Sequence, residues 1–128
     1  MSPEWTVFSS QCPSRESLAR IANKWTAMIV ILLSEPQRFS ELHRGIDGIT
    51  KKVLADTLRA LERDGMLRRV QSADGHHRYE LTPLGQTLHD PLHALQVWAE
   101  CHVDEVLQAQ EQYDTVADDE TLSSSSVG

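Results

Sequence analysis

Lysine and arginine are missing from the C-terminal part of this sequence. All twelve lie between Arg15 and Arg78, whereas eight acidic residues and no basic residue follow Pro91. Between Pro36 and Arg78, nine basic residues outnumber six acidic ones, so the net charge of −7 conceals a basic middle segment. An acidic total therefore does not exclude a nucleic-acid partner, because the cations can gather on one face.

Long apolar runs are also missing. No apolar segment reaches the length of a membrane span. Residues 1–11 lack the pattern of a secretory signal, in which a basic region precedes an apolar stretch. We therefore expect a cytoplasmic protein that does not enter a membrane. The length of 128 residues suits one domain with a single core.

Catalytic signatures and cysteine frameworks are absent as well. The sequence has no glycine-rich phosphate loop, no nucleophile elbow and no recognisable carboxylate pair, so we expect neither an enzyme nor a bound cofactor. Its two cysteines, Cys12 and Cys101, are too few for a disulfide framework. Both are expected to be free thiols in a reducing compartment.

Helical periods dominate the first half of the chain. Apolar residues recur at steps of three and four over Leu18–Leu33, with a possible new helix start at Asn23-Lys24. A short helix is predicted over residues 39–44. After a glycine-rich turn, Thr50 is positioned to cap a further helix that stops near Gly65.

A period of two follows, which is typical of strands. Met66–Ser72 and His76–Leu81 are predicted strands, and Asp74-Gly75 between them is a favoured hairpin turn. Pro83 then begins a long helix. The order of short helix, turn, helix and hairpin predicts a winged helix-turn-helix, a mainly α fold with a small β-hairpin wing.

The predicted organisation has three parts. Residues 1–12 form an N-terminal arm at a dimer interface, and residues 13–112 form the winged helix-turn-helix domain with a C-terminal dimerisation helix. Residues 113–128 are acidic and end in a serine run, a composition that predicts disorder.

The chain resembles the HxlR-type branch of the MarR-like winged-helix regulators over about residues 12–102. The motifs that carry the resemblance are Cys12-Pro13, Lys24-Trp25-Thr26, Arg38-Phe39-Ser40-Glu41-Leu42, Gly48-Ile49-Thr50, Leu54, Leu58-Arg59-Ala60-Leu61-Glu62, Gly65-Met66-Leu67-Arg68-Arg69, Tyr79-Glu80-Leu81-Thr82-Pro83-Leu84-Gly85 and Trp98. The resemblance implies a bacterial DNA-binding repressor or activator, of which we expect a repressor. It also implies a symmetric dimer and, in several branches of the family, a thiol sensor.

The second helix of such a motif lies in the major groove with its N-terminal residues nearest the base edges. The candidate DNA contacts are Ser40, His43, Thr50, Lys51, Lys52, Asp56, Arg59, Arg63, His76, His77 and Arg78. Asp56 is an acceptor among these donors, so it would either favour cytosine or orient a neighbouring lysine. The family often has prolines before the second wing strand. Here Gly75-His76-His77-Arg78 stands in their place, which predicts a more flexible wing.

The apolar stripe of the long helix extends beyond what one small domain can cover. This surplus predicts a homodimer that binds an inverted-repeat operator, with the two recognition helices about one DNA turn apart. The predicted interface residues are Trp5, Phe8, Leu92, Leu95, Trp98, His102 and Val106.

Cys12 is the candidate sensor of an oxidant, electrophile or quinone-like effector. It directly precedes Pro13 at a predicted helix start, where the helix dipole and Arg15 favour the thiolate. The resemblance points the same way, because a Cys-Pro pair near the N-terminus is redox-active in several family members. We hypothesise a disulfide between Cys12 of one subunit and Cys101 of the other.

Other interpretations remain open at this point. His89, His93, Cys101 and His102 are acceptable metal ligands on the long helix, although no metal site is predicted. A small aromatic ligand could occupy the space between the core and the dimer helices. A winged helix that binds only proteins would use the same fold, but would not need a basic face.

Overall fold

A computed structural model describes residues 6–127, with side chains through residue 118. Within that range the elements are α1 (Pro13–Ile21), α2 (Lys24–Leu32), α3 (Phe39–Gly45), α4 (Lys51–Arg63), β1 (Leu67–Gln71), β2 (His77–Leu81) and α5 (Pro83–Val127). This order confirms the predicted winged helix-turn-helix with a small wing. None of the described helices has both the length and the apolar character needed to cross a membrane.

The predicted interruption between the first two helices is confirmed. Asn23 ends the first pattern and caps α2, because its side chain accepts a hydrogen bond from the Trp25 amide at 2.9 Å. Arg20 at the end of α1 donates to both carboxylate oxygens of Asp64, at 2.7 and 2.6 Å. That bond raises the pKa of Arg20 and ties α1 to the C-terminal end of α4.

The helix-turn-helix is α3, its turn and α4. Thr50 caps α4 as predicted, since its hydroxyl accepts a hydrogen bond from the Val53 amide at 3.1 Å. The inner face of α4 is its apolar stripe, where Leu54, Leu58 and Leu61 are fully enclosed. This burial fixes which face of α4 remains free for a ligand.

The wing is an antiparallel hairpin in which Leu67 pairs with Leu81 and Gln71 with His77. Gly75 adopts a left-handed backbone conformation in the turn (φ 84°), as the Asp-Gly signal predicts. A short backbone bridge joins Gln37 to Tyr79, with hydrogen bonds of 3.0 and 2.7 Å. The segment before α3 is thereby attached to β2.

One hydrophobic core joins α2, α3, α4, the base of the hairpin and the beginning of α5. Its buried members are Ile29, Val30, Leu33, Leu42, Ile46, Ile49, Leu54, Leu58, Leu61, Leu67, Leu81 and Leu92. Leu92, predicted to lie at the dimer interface, is 7% exposed and packs in the chain's own core, so the single chain already accounts for its burial. The apolar stripe of α5 predicts which face of the helix is buried. It does not predict whether a given turn packs against the chain's own core or against a second subunit.

The chain forms two compact units, one ending at His93 and the other beginning at Ala94. This division falls within α5, and the predicted bounds of 13–112 for the domain and 113–128 for a disordered tail remain predictions. The backbone of α5 continues as a helix to Val127. No glycine or proline lies between residues 113 and 127, so nothing in the covalent backbone ends the helix there.

Candidate nucleic-acid interface

The outward face of α4 carries four charged side chains in one row. Lys52, Asp56, Arg59 and Arg63 follow each other at steps of four, three and four, so they lie on the side opposite the buried leucines. All four are exposed. The burial of the inner stripe therefore presents this row, named here the α4 row, to the surroundings.

The first turn of α4 and its cap contain the other DNA contacts predicted for this helix. Lys51 and Lys52 are both exposed. The oxygen of Thr50 accepts the capping hydrogen bond from Val53, so its hydroxyl hydrogen is the part left for an external acceptor. The dipole of α4 also places partial positive charge at this end, which favours an anion.

Asp56 makes ion pairs with two other members of the α4 row. One carboxylate oxygen accepts from Lys52 at 3.0 Å, and the other accepts from Arg59 at 2.5 Å. These hydrogen bonds, first that from Lys52, hold the pKa of Asp56 below its usual value. Of the two roles left open for Asp56, the free protein favours orientation of neighbouring cations.

The two candidates on α3 differ in exposure. Ser40 is exposed, whereas His43 is half-buried. The first turn of α3 is closed by a hydrogen bond from the Arg38 amide to the Glu41 side chain at 2.8 Å. Ser40 is therefore the more accessible of the two for a phosphate contact.

The wing turn is organised around Asp74. Its carboxylate accepts hydrogen bonds from the Ser72 hydroxyl and, at 3.1 Å, from the His76 amide, and it forms an ion pair with Arg38. These contacts, led by Ser72, lower the pKa of Asp74 to about 2. His76 and His77 are exposed next to this turn, and Arg78 is half-buried.

A cleft of about 370 Å³ lies between α4 and the wing. Arg59 and Glu62 line it from the helix, and Arg69 and Tyr79 line it from the hairpin. Arg69 approaches Glu62 at 3.9 Å. The fold thus brings Arg59 close to a second cation, Arg69, which was not among the predicted contacts. Arg69 and Arg38 both lie in motifs that carry the family resemblance. Those motifs are the sequence signal from which the two residues could have been predicted as functional.

The two cysteines occupy different environments. Cys12 is the residue before α1 and is 7% exposed, and its sulfur lies 2.8 Å from the Ser14 hydroxyl. It also lines a shallow depression of about 500 Å³ together with Arg15 and Glu16. Cys101 is exposed on α5, and both are free thiols.

Part of the predicted dimer surface is exposed in the single chain. Leu95, Trp98 and Val106 are exposed large apolar side chains on α5, and His102 stacks on the Trp98 ring at 4.9 Å between ring centroids. Phe8 in the arm is 89% exposed. Trp5 lies outside the described residues.

The histidines considered as metal ligands have other contacts. The His89 and His93 rings stack at 6.0 Å between centroids, and His89 Nε2 lies 3.3 Å from the Ile31 carbonyl oxygen. Among the described residues, no group of three or more His, Cys, Asp or Glu side chains could hold a metal ion.

Comparison with known proteins decides the family. A profile described as HxlR-like helix-turn-helix matches residues 20–107. The chain belongs to the HxlR-like helix-turn-helix family. It is 40% identical over 112 residues to the HTH-type transcriptional regulator YtfH of Escherichia coli K12, covering 85% of this chain and 89% of that one. This HxlR-type chain is thus a helix-turn-helix transcriptional regulator.

Two solved structures of similar regulators support the same conclusion. The transcriptional regulator ytfH from Salmonella typhimurium superposes with a TM-score of 0.77 at 40% identity, covering 84% of this chain and 99% of that one. The redox regulator HypR in its reduced form gives a TM-score of 0.65 at 30% identity, covering 76% and 98%. Both matches extend over nearly the whole chain of the similar protein.

Proposed function

We propose that this protein regulates transcription in the cytoplasm by placing α4 in the major groove of an inverted-repeat operator. The α4 row carries the proposal, because its cations project from the face of the second helix that the core leaves free. Lys51 and Lys52 contact base edges or phosphates at the start of the helix, and Arg63 contacts phosphate at its end. The wing flanks the site with His76, His77 and Arg78.

Salt-dependent binding tests this assignment. The double variant Lys51→Ala/Lys52→Ala is compared with Arg15→Ala/Lys24→Ala, which removes the same charge from α1 and α2. Gel-shift and anisotropy measurements use the DNA upstream of the protein's own gene over a series of salt concentrations. The α4 variant should lose affinity and flatten the slope of log K against log salt by about 0.9 for each lost phosphate contact. The placement of α4 is wrong if both double variants bind as the parent does.

We propose further that the DNA-binding form is a homodimer. Exposed apolar side chains on α5 support this, because no described residue of the single chain buries Leu95, Trp98 or Val106. A two-fold dimer would place two copies of α4 about 34 Å apart, one turn of DNA. The operator should then consist of two half-sites at that spacing.

We propose that oxidation of Cys12 regulates the DNA affinity. Its position before α1, beside a depression that includes Arg15, supports reactivity, as does the likeness to the redox regulator HypR. In the specific form of the hypothesis, diamide takes two electrons and two protons from the Cys12 thiol and the partner subunit's Cys101 thiol, leaving one disulfide. A non-reducing gel after diamide treatment should show a covalent dimer for the parent and none for Cys12→Ser or Cys101→Ser. A covalent dimer that persists in Cys101→Ser would contradict the bridge while leaving Cys12 as a sensor.

A further inference from the structure

Asp56 lies between two cations of the α4 row and uses a different oxygen for each. Lys52 Nζ donates to one oxygen at 3.0 Å, and Arg59 Nη2 donates to the other at 2.5 Å. The spacings of four and three residues are those at which side chains on one helix face meet. The carboxylate is ionised at neutral pH, and the hydrogen bonds from Lys52 and Arg59 lower its pKa further.

These pairs have little effect on folding stability. The side chains of Lys52, Arg59 and Asp56 are 85%, 71% and 49% exposed, and exposed ion pairs contribute little because water and salt screen them. Their main effect is on the charge that α4 presents to a ligand. Two of the three cations in the α4 row share one carboxylate. The third, Arg63, forms no ion pair among the residues whose side chains are described.

Binding to arbitrary DNA depends almost entirely on attraction between cations and phosphates. Asp56 opposes this attraction, because Lys52 and Arg59 must leave their hydrogen bonds before they can bind phosphates freely. Binding to base edges has a different requirement, since it needs donors held in a defined direction. A donor that is already oriented loses less side-chain entropy when it binds.

We propose that Asp56 is a specificity-determining residue, which suppresses binding to arbitrary DNA and positions Lys52 and Arg59 for the operator. The inference rests on the proposed function, in which α4 enters the major groove. Asp56 is a positioning residue in this account, because it acts through its two neighbours. Its loss should therefore strengthen non-specific binding and weaken discrimination in the same variant.

The test compares Asp56→Asn with Asp56→Glu and Asp47→Asn. Asp47 is an exposed carboxylate shortly before α4 and has no ion pair among the described side chains, so Asp47→Asn matches the change of charge. Each protein is titrated with two fluorescent duplexes over a series of KCl concentrations. One duplex is selected by the parent from a random pool, and the other is its scrambled sequence. Thermal unfolding is followed in parallel.

On the scrambled duplex, Asp56→Asn should make the slope of log K against log salt steeper by about 0.9 for each cation freed from Asp56. One such cation is equivalent to roughly eightfold tighter binding at 0.1 M salt. The ratio of affinities for the selected and scrambled duplexes should fall by about tenfold, which corresponds to one lost oriented contact. Asp56→Glu should restore both values towards the parent, and Asp47→Asn should change them much less. Unfolding temperatures should stay close together.

Two results would overturn the inference by itself. The first is an Asp56→Asn protein whose slope and ratio match those of Asp47→Asn, because charge alone would then explain the change. The second is an unchanged affinity ratio in Asp56→Asn. A parent that binds neither duplex in a salt-dependent way would overturn the proposed function and this inference together, so the two failures are distinguishable.

Discussion

Arg38 and Asp74 form an ion pair that connects the segment before α3 to the turn of the wing, 36 residues later in the chain. The backbone bridge between Gln37 and Tyr79 joins the same two segments. The wing is therefore attached to the helix-turn-helix at two neighbouring points. The missing prolines predict a more flexible wing, and we expect this attachment to oppose that flexibility.

Replacing Arg38 should loosen the wing without unfolding the domain. In Arg38→Ala, Asp74 keeps its bonds to Ser72 and His76 but loses the connection to the helix-turn-helix. We expect faster hydrogen exchange at the Gly75 and His76 amides, severalfold weaker DNA binding and a nearly unchanged unfolding temperature. Arg44→Ala is the matched control, because Arg44 lies exposed on α3 and has no ion pair in the described part of the chain. Equal exchange rates in the two variants would contradict a role of the Arg38–Asp74 ion pair in holding the wing.

The wing turn should also respond to acid in a defined direction. The pKa of Asp74 is lowered from 3.8 to about 2 by its hydrogen bonds to Ser72 and His76 and its pairing with Arg38. A lowered carboxyl pKa stabilises the folded turn above pH 3.8, and this contribution disappears as the pH falls towards 2. Carboxyl carbon and His76 amide shifts should follow that titration by NMR. Asp74→Asn should remove the dependence of the His76 shift, and a midpoint at or above 3.8 in the parent would exclude the proposed contacts.

Gly85 should not tolerate even alanine. A Cβ atom at this position would lie 2.0 Å from the Met66 carbonyl oxygen, which accepts a hydrogen bond from the Thr82 amide, and 3.1 Å from the Leu81 side chain. Because backbone must move, Gly85→Ala should lower the free energy of unfolding by about 2–3 kcal/mol in urea titrations. Gly45→Ala is the control, since its Cβ would meet only the end of the Leu32 side chain. Similar stabilities for the two variants would show that the start of α5 adjusts freely.

Local signals predicted local structure well. Thr50 and the Asp74-Gly75 pair identified a helix start and a turn, because capping and turn formation depend on residues within a few positions. The pairing of Arg38 with Asp74 could not be predicted in this way, since it depends on how the hairpin folds back across the domain. The dual pairing of Asp56 lay within reach of the sequence, because its spacing to Lys52 and Arg59 permits both bonds.

Leu92 and Leu95 illustrate the harder problem of assigning an apolar helix face. Both belong to the same predicted stripe, yet Leu92 is 7% exposed and Leu95 is 60% exposed. Leu92→Ala should therefore lower the free energy of unfolding by about 2–5 kcal/mol, as buried leucines do, to the same extent at every protein concentration.

Leu95→Ala should instead act through assembly. If Leu95 lies in the proposed dimer interface, its truncation should raise the monomer–dimer dissociation constant in sedimentation equilibrium. The loss of stability should then depend on protein concentration, because association stabilises the folded state by mass action. A Leu95→Ala protein that sediments as the parent does would remove Leu95 from the interface. A concentration-dependent effect of Leu92→Ala would mean that its burial in the single chain does not account for its contribution.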